Sequence, residues 1–138
     1  MQTYILFLIA GAGAAVMLVR YGRRLVGASP SGDGITEIDA NEAAELIKGK
    51  NAVVVDVRTS AEYAAGRIPK ATHIPLRQLP QRLGGLKKYQ NRPIVVSCRT
   101  GRRSASACAY LAENGFEEVY NLKGGLRAWA HAKQMIES

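Results

Sequence analysis

The sequence predicts an α/β fold: a central, mostly parallel five-stranded sheet flanked by helices. Two observations carry that expectation. Residues 52–57 and 94–97 are short, largely β-branched apolar runs without polar alternation, the pattern of central strands buried on both faces. Stretches of helical spacing, bounded by turn residues, follow such runs, so strand and helix alternate along the chain.

Residues 35–38 read as a first short strand. Asp39 or Asn41 caps a helix whose apolar positions Ala43, Ala44, Leu46 and Ile47 recur at helical spacing, and Gly49 ends it. After the strand at 52–57, Ser60 is the expected N-cap of a short helix that stops near Gly66. Residues 71–74 form another strand, closed by Pro75. Leu76, Leu79 and Leu83 mark a further helix, with Pro80 confined to its first turn. The strand at 94–97 is entered by Pro93 and leads to the best helix of the chain, residues 102–114, stopped by Asn114-Gly115. A last strand at 119–122 passes through Gly124-Gly125 into a C-terminal helix around Trp129.

The first part of the chain has a different character. Residues 1–19 carry no charged side chain, and as a helix they span about 28 Å, close to the hydrocarbon thickness of a bilayer. Tyr4 and Tyr21 lie near the ends of the run, and Arg20, Arg23 and Arg24 follow it directly. A cleaved signal peptide would have basic residues before the apolar run, and here only Gln2 and Thr3 precede it in that place. The expectation is one N-terminal transmembrane helix with its basic flank (residues 1–26), a turn-rich linker (27–34) and a folded domain (35–138). The arginines place the N-terminus outside and the domain on the cytoplasmic side of the inner membrane.

The net charge of +8 over 138 residues includes those three arginines, so the domain itself is only mildly basic. It has no lysine run and no aromatic-studded basic strand, which argues against nucleic acid as a partner. Two cysteines and two histidines, none of them in tight pairs, argue against a structural metal and a disulfide-built domain.

The chemistry concentrates in one segment. The strand at 94–97 delivers Cys98 to the carboxyl edge of the sheet, and a short loop with Gly101 turns into the next helix. Loop amides and a helix N-terminus favour negative charge at the sulfur, and Arg99, Arg102 and Arg103 add cations within a few residues. A thiolate so placed is a nucleophile at neutral pH, beside a seat for an anionic substrate. The plainer alternative is an inert buried cysteine, and Cys108, among alanines on a helix, fits that description. Asp56 and Arg58 follow a central strand and are expected at the same edge, as a structural ion pair.

Cys98-Arg99-Thr100-Gly101-Arg102-Arg103-Ser104 resembles the active-site loop of rhodanese-like sulfurtransferases: a cysteine, four residues, an arginine, then a small or hydroxyl residue. Asp56-Val57-Arg58, Glu62-Tyr63, Gly66, Ile68-Pro69 and Ile74-Pro75 resemble that family's first signature, with Arg67 where histidine is more usual. Asn121-Leu122-Lys123-Gly124-Gly125, then Trp129, resembles its C-terminal signature. The resemblance spans residues 35–130 and implies a rhodanese-like fold and sulfane-sulfur transfer, with Cys98 as the persulfide-carrying catalytic residue. Arg99, Thr100, Gly101, Arg102 and Arg103 would bind substrate, with Asp56, Arg58 and Ser104 supporting the loop. Arg103 has a second reading, a brace to Glu62 or Asp56. The implied partners are a small anionic sulfur donor such as thiosulfate, a thiol or cyanide acceptor, the membrane, and a membrane-protein partner; no cofactor is implied.

Two rival readings stand beside it. A cysteine phosphatase places five residues between cysteine and arginine, whereas here the sixth residue after Cys98 is Ser104. A membrane-tethered docking module would leave the intact cysteine and arginines without a task.

Overall fold

The structure, a computed structural model, describes residues 29–30 and 35–138. The expected transmembrane helix lies outside them, and among the described residues no helix is long and apolar enough to cross a membrane. Six strands form one sheet: β1 (Ser29–Pro30), β2 (Thr36–Ile38), β3 (Val53–Asp56), β4 (Thr72–His73), β5 (Ile94–Ser97) and β6 (Val119–Leu122). Their order is β1-β2-β6-β5-β3-β4. All pairings are parallel except that of β1 with β2. The five parallel strands are those the sequence predicts; β1, inside the stretch read as a linker, adds an antiparallel edge.

Every residue of β3 and β5 is buried, as expected of runs that are apolar on both faces. Their side chains alternate between two cores. Val53, Val55, Ile94 and Val96 pack with Leu79 and Leu86 of α3 (Leu79–Leu86) and with Cys108 and Leu111 of α4 (Arg102–Glu113). Val54 and Val95 face the other way, onto Ala43 and Leu46 of α1 (Ala40–Lys50) and Trp129 of α5 (Gly125–His131). Fully burying each of these branched side chains contributes about 1.5–3 kcal/mol.

Two helix boundaries differ from the sequence reading, and local hydrogen bonding explains both. Gly49 does not end α1; the helix runs to Lys50, and Asn51 adopts the left-handed conformation (φ 54°, ψ 44°) with its N–H on Leu46 O. At α2 (Ser60–Ala65) the cap is Thr59 rather than Ser60, because only Thr59 has an acid at the third following position. Its hydroxyl accepts from the Glu62 N–H while Glu62 accepts from the Thr59 N–H, a reciprocal capping box. Pro80 lies in the first turn of α3, where no intrahelical N–H is missed.

The chain leaves β3 through α2 toward β4 and leaves β5 through α4 toward β6, in opposite directions along the sheet. The carboxyl ends of β3 and β5 therefore flank the switch point where open α/β sheets bind ligands. Asp56 pairs in register with Ser97, and Asn121 with Val96, so all three gather at that edge.

A buried ion pair fastens this edge. Asp56 is 1% and Arg58 4% exposed. The Arg58 guanidinium meets both Asp56 carboxylate oxygens at 2.8–3.0 Å, and the Arg58 amide donates to Asp56 at 3.0 Å. The same guanidinium donates to the carbonyls of Glu62 (3.1 Å) and Gly66 (2.6 Å), tying α2 to the end of β3. The C-terminal residues close over the far end of α2: Arg67 and Glu137 exchange both backbone hydrogen bonds, and Trp129 donates to Met135 O.

Arg58→Ala leaves the Asp56 carboxylate buried without its partner, and the expected loss of stability is about 3–5 kcal/mol. Urea unfolding monitored by circular dichroism measures it; a loss below about 1 kcal/mol would refute the structural role of the pair.

Candidate functional site

The residue after β5 is Cys98, 1% exposed, at the floor of a loop that becomes α4. Gly101 caps α4 in the left-handed region (φ 98°), and its N–H points back to Cys98 Sγ at 3.0 Å. A Cβ at Gly101 would stand 3.3 Å from Gly124 N and from Leu122 O, so the position is both strained and tight for any larger residue. Ser104, fully buried in the first turn of α4, places its hydroxyl 3.3 Å from Sγ.

A loop that turns its amides inward leaves its carbonyls outward, and each needs a donor. Leu126 N–H bonds to Cys98 O at 2.8 Å and Arg127 N–H to Arg99 O at 3.2 Å, both from the first turn of α5. Asn121 Nδ2 donates to Gly101 O at 3.0 Å. Gly125, with φ 57°, lets α5 approach so closely that a Cβ there would collide with Cys98 O.

Burial pushes the Cys98 thiol up, but hydrogen bonds outweigh it and carry its pKa below the ordinary value. They come from the Ser104 hydroxyl and from the amides of Ser104, Gly101 and Thr100. The cradle is thus set for an anionic sulfur.

Of the residues singled out in the sequence, Thr100, Gly101 and Ser104 surround the sulfur. Arg99 and Arg102 are exposed, and among the described residues their guanidinium groups take no hydrogen-bond or ion-pair partner. Arg103, expected among the substrate-binding residues, points instead to Glu62, with two bonds of 2.7 and 2.9 Å. This salt link, reinforced at Glu62 by Thr59, holds the Glu62 carboxyl down at about 2 and raises Arg103. Arg103 therefore occupies the bracing position of its two sequence readings. The sixth position after Cys98, where a phosphatase loop carries its arginine, holds Ser104, and the neighbouring Arg103 guanidinium reaches α2 instead. Asp56 and Arg58 support the neighbouring strand end and form no hydrogen bond to Cys98.

His73 has partners that the sequence did not foretell. It stacks on Tyr63 at 4.3 Å, and its Nε2 lies 2.8 Å from Arg58 O. The sequence reading also assigned no role to Asn121. Its signal was a polar residue inside the otherwise apolar strand β6, where a buried amide must be satisfied. Among the described residues no cluster of histidine, cysteine and acidic side chains could hold a metal ion.

Comparison with known proteins bears on the whole domain. Residues 39–132 match the family model of the rhodanese-like domain. A sulfurtransferase of Allochromatium vinosum is 41% identical over 97 residues, covering 70% of this chain and 89% of the relative. The thiosulfate sulfurtransferase GlpE of Stutzerimonas stutzeri is 37% identical, covering 65% and 81%. Among solved structures, a rhodanese-related protein of Thermoplasma volcanium superposes with a TM-score of 0.66 at 29% identity, covering 73% of this chain and 96% of that one. A rhodanese-like domain protein of Staphylococcus aureus gives 0.61 at 36% identity, covering 67% and 89%.

The difference in ultraviolet thiolate absorbance between the protein and its Cys98→Ser variant titrates the sulfur directly. Its midpoint is expected below that of an ordinary cysteine and should rise in Ser104→Ala, which removes a donor to the anion. A midpoint unmoved by Ser104→Ala would eliminate the hydroxyl as a stabiliser of the thiolate.

Proposed function

We propose, on the premise that the chain belongs to the rhodanese-like domain family, that it is a sulfurtransferase moving sulfane sulfur from a small anionic donor through a persulfide on Cys98. The observation that carries this reading is the Gly101 N–H aimed at the buried Cys98 sulfur, with Arg99 of the loop and Arg102 of the first turn of α4 exposed and, among the described residues, without an ion-pair partner. Relatives named sulfurtransferase, similar over most of their length, support the same class of reaction.

Thiosulfate serves as the working donor. Arg99 and Arg102 attract its anionic sulfonate end and leave its outer sulfur facing the cradle. The Cys98 thiolate attacks that sulfur; a new S–S bond forms, the S–S bond of thiosulfate breaks, and sulfite departs with the bonding pair. The persulfide anion inherits the hydrogen bonds that favoured the thiolate. A thiolate acceptor or cyanide then attacks the outer sulfur, and the electron pair of the cleaved S–S bond returns to Cys98. The protein supplies position and charge for both steps and needs no organic cofactor or metal for electron balance.

The apolar run of residues 1–19 and its arginine flank support a tether to the inner membrane, with the domain on the cytoplasmic side. A membrane-bound partner as donor or acceptor follows naturally from such a tether. Nothing in the charge distribution favours nucleic acid.

Intact-mass spectrometry after incubation with thiosulfate should show the gain of one sulfur atom, absent in Cys98→Ser and removed by reductant. An unchanged mass on folded, reduced protein would rule out thiosulfate as donor. In cell fractionation the protein should stay with membranes through alkaline carbonate and leave only with detergent; recovery in the carbonate wash would sink the tether.

A further inference from the structure

The Ser104 hydroxyl stands between two atoms that both call on its only proton. Asn121 Oδ1 lies 2.5 Å away, and Cys98 Sγ lies 3.3 Å away. The orientation of the Asn121 amide is fixed by its other contacts. Its nitrogen donates to Gly101 O at 3.0 Å and to Glu37 Oε1 at 3.4 Å, two groups that only accept. Oδ1 must therefore face Ser104, and Ser104 must donate to it. While it does so, the hydroxyl offers Cys98 only a lone pair. A thiol can use that lone pair by donating its S–H; a thiolate cannot.

We propose that Asn121 sets the reactivity of Cys98 at one remove, by competing with its sulfur for the single hydroxyl proton of Ser104. The inference rests on the reading of Cys98 as the nucleophile. In the thiol form the chain runs from Sγ–H to Ser104 Oγ and from Oγ–H to Asn121 Oδ1. When the sulfur loses its proton, the hydroxyl turns toward Sγ and the Asn121 oxygen, on a residue 1% exposed, is left without a donor. That loss is set against the thiolate. Asn121 is a positioning residue, and it holds the loop in a second way as well, through Gly101 O. The two roles have opposite signs. Removing the competing acceptor favours the thiolate, whereas loosening Gly101 weakens its N–H bond to the sulfur and disfavours it.

Other charges bear on the sulfur. The acids at this edge are Asp56 on β3, Glu62 on α2 and Glu37 on β2. The cations are Arg58 after β3, Arg99, Arg102 and Arg103 in the loop and α4, and Arg127 on α5, whose amide holds Arg99 O. All of them remain in an Asn121 variant and set the absolute midpoint. Glu37 also loses its bond from Asn121 Nδ2, a change common to the unaltered and Ser104→Ala backgrounds that cancels when the two are compared.

The test is the thiolate absorbance titration of Asn121→Val, a residue suited to a strand, with Asn121→Ala beside it. Below the midpoint the thiolate fraction should rise about three- to tenfold, the worth of one hydrogen bond restored to the sulfur. In a Ser104→Ala background the same substitution should give no rise. A fall in the thiolate fraction, or a rise that persists without Ser104, overturns the proposal and leaves Asn121 as a strut for Gly101. If the variants do not fold, infrared spectroscopy of the unaltered protein decides. The Cys98 S–H stretch, assigned by difference against Cys98→Ser, should lie at the lowered frequency of a donating thiol; the frequency of a non-donating thiol overturns the proposal. Neither readout uses a sulfur donor or acceptor, so failure of thiosulfate to load the protein does not touch them.

Discussion

The four-residue turn from β5 to α4, Cys98 to Gly101, must aim its amides at one buried sulfur. That demand organises the surrounding structure, because every amide turned inward leaves a carbonyl turned outward. The carbonyls of Cys98 and Arg99 are met by the first amides of α5, and that of Gly101 by Asn121. The C-terminal helix is therefore more than a cover for the second core. It must approach to within backbone contact, and a glycine at 125 is what permits the approach. Gly101 makes the matching concession on the other side of the loop.

The arginines near the edge divide by partner. Arg58 and Arg103 are neutralised by Asp56 and Glu62 and join α2 to β3 and α4. Arg99 and Arg102 are exposed at the surface, a few residues along the chain from Cys98. Sequence spacing alone does not separate the two kinds, since Arg102 and Arg103 are adjacent. The helix does: successive residues point about a hundred degrees apart, so one reaches α2 while its neighbour faces solvent.

Much of this was legible in the sequence because it rests on local signals. Fully apolar runs marked β3 and β5, and the cysteine, glycine and arginines marked the loop. What escaped depends on contacts between distant segments. Asn121 sits in a strand whose other residues follow the apolar rule, and its importance appears only when α4 brings Ser104 against it. The donors for Cys98 O and Arg99 O are backbone amides, which carry no residue-type signature at all. The two-residue β1 is too short for any periodicity. The Thr59 cap was a miss of one position, since both Thr59 and Ser60 are good caps and Glu62 selects between them.

Cys98 lies almost entirely below the surface, while Arg99 and Arg102 are exposed. Under the proposed persulfide mechanism, loading would add one sulfur, about 2 Å further along the bond axis. The atom that the next molecule must reach would then be carried by the cargo rather than by the side chain. An empty site would be recessed and offer little to a bulky thiol, whereas a loaded one would present its own handle. Such a carrier would report its state by its contour, and a large acceptor would tell full from empty by reach alone.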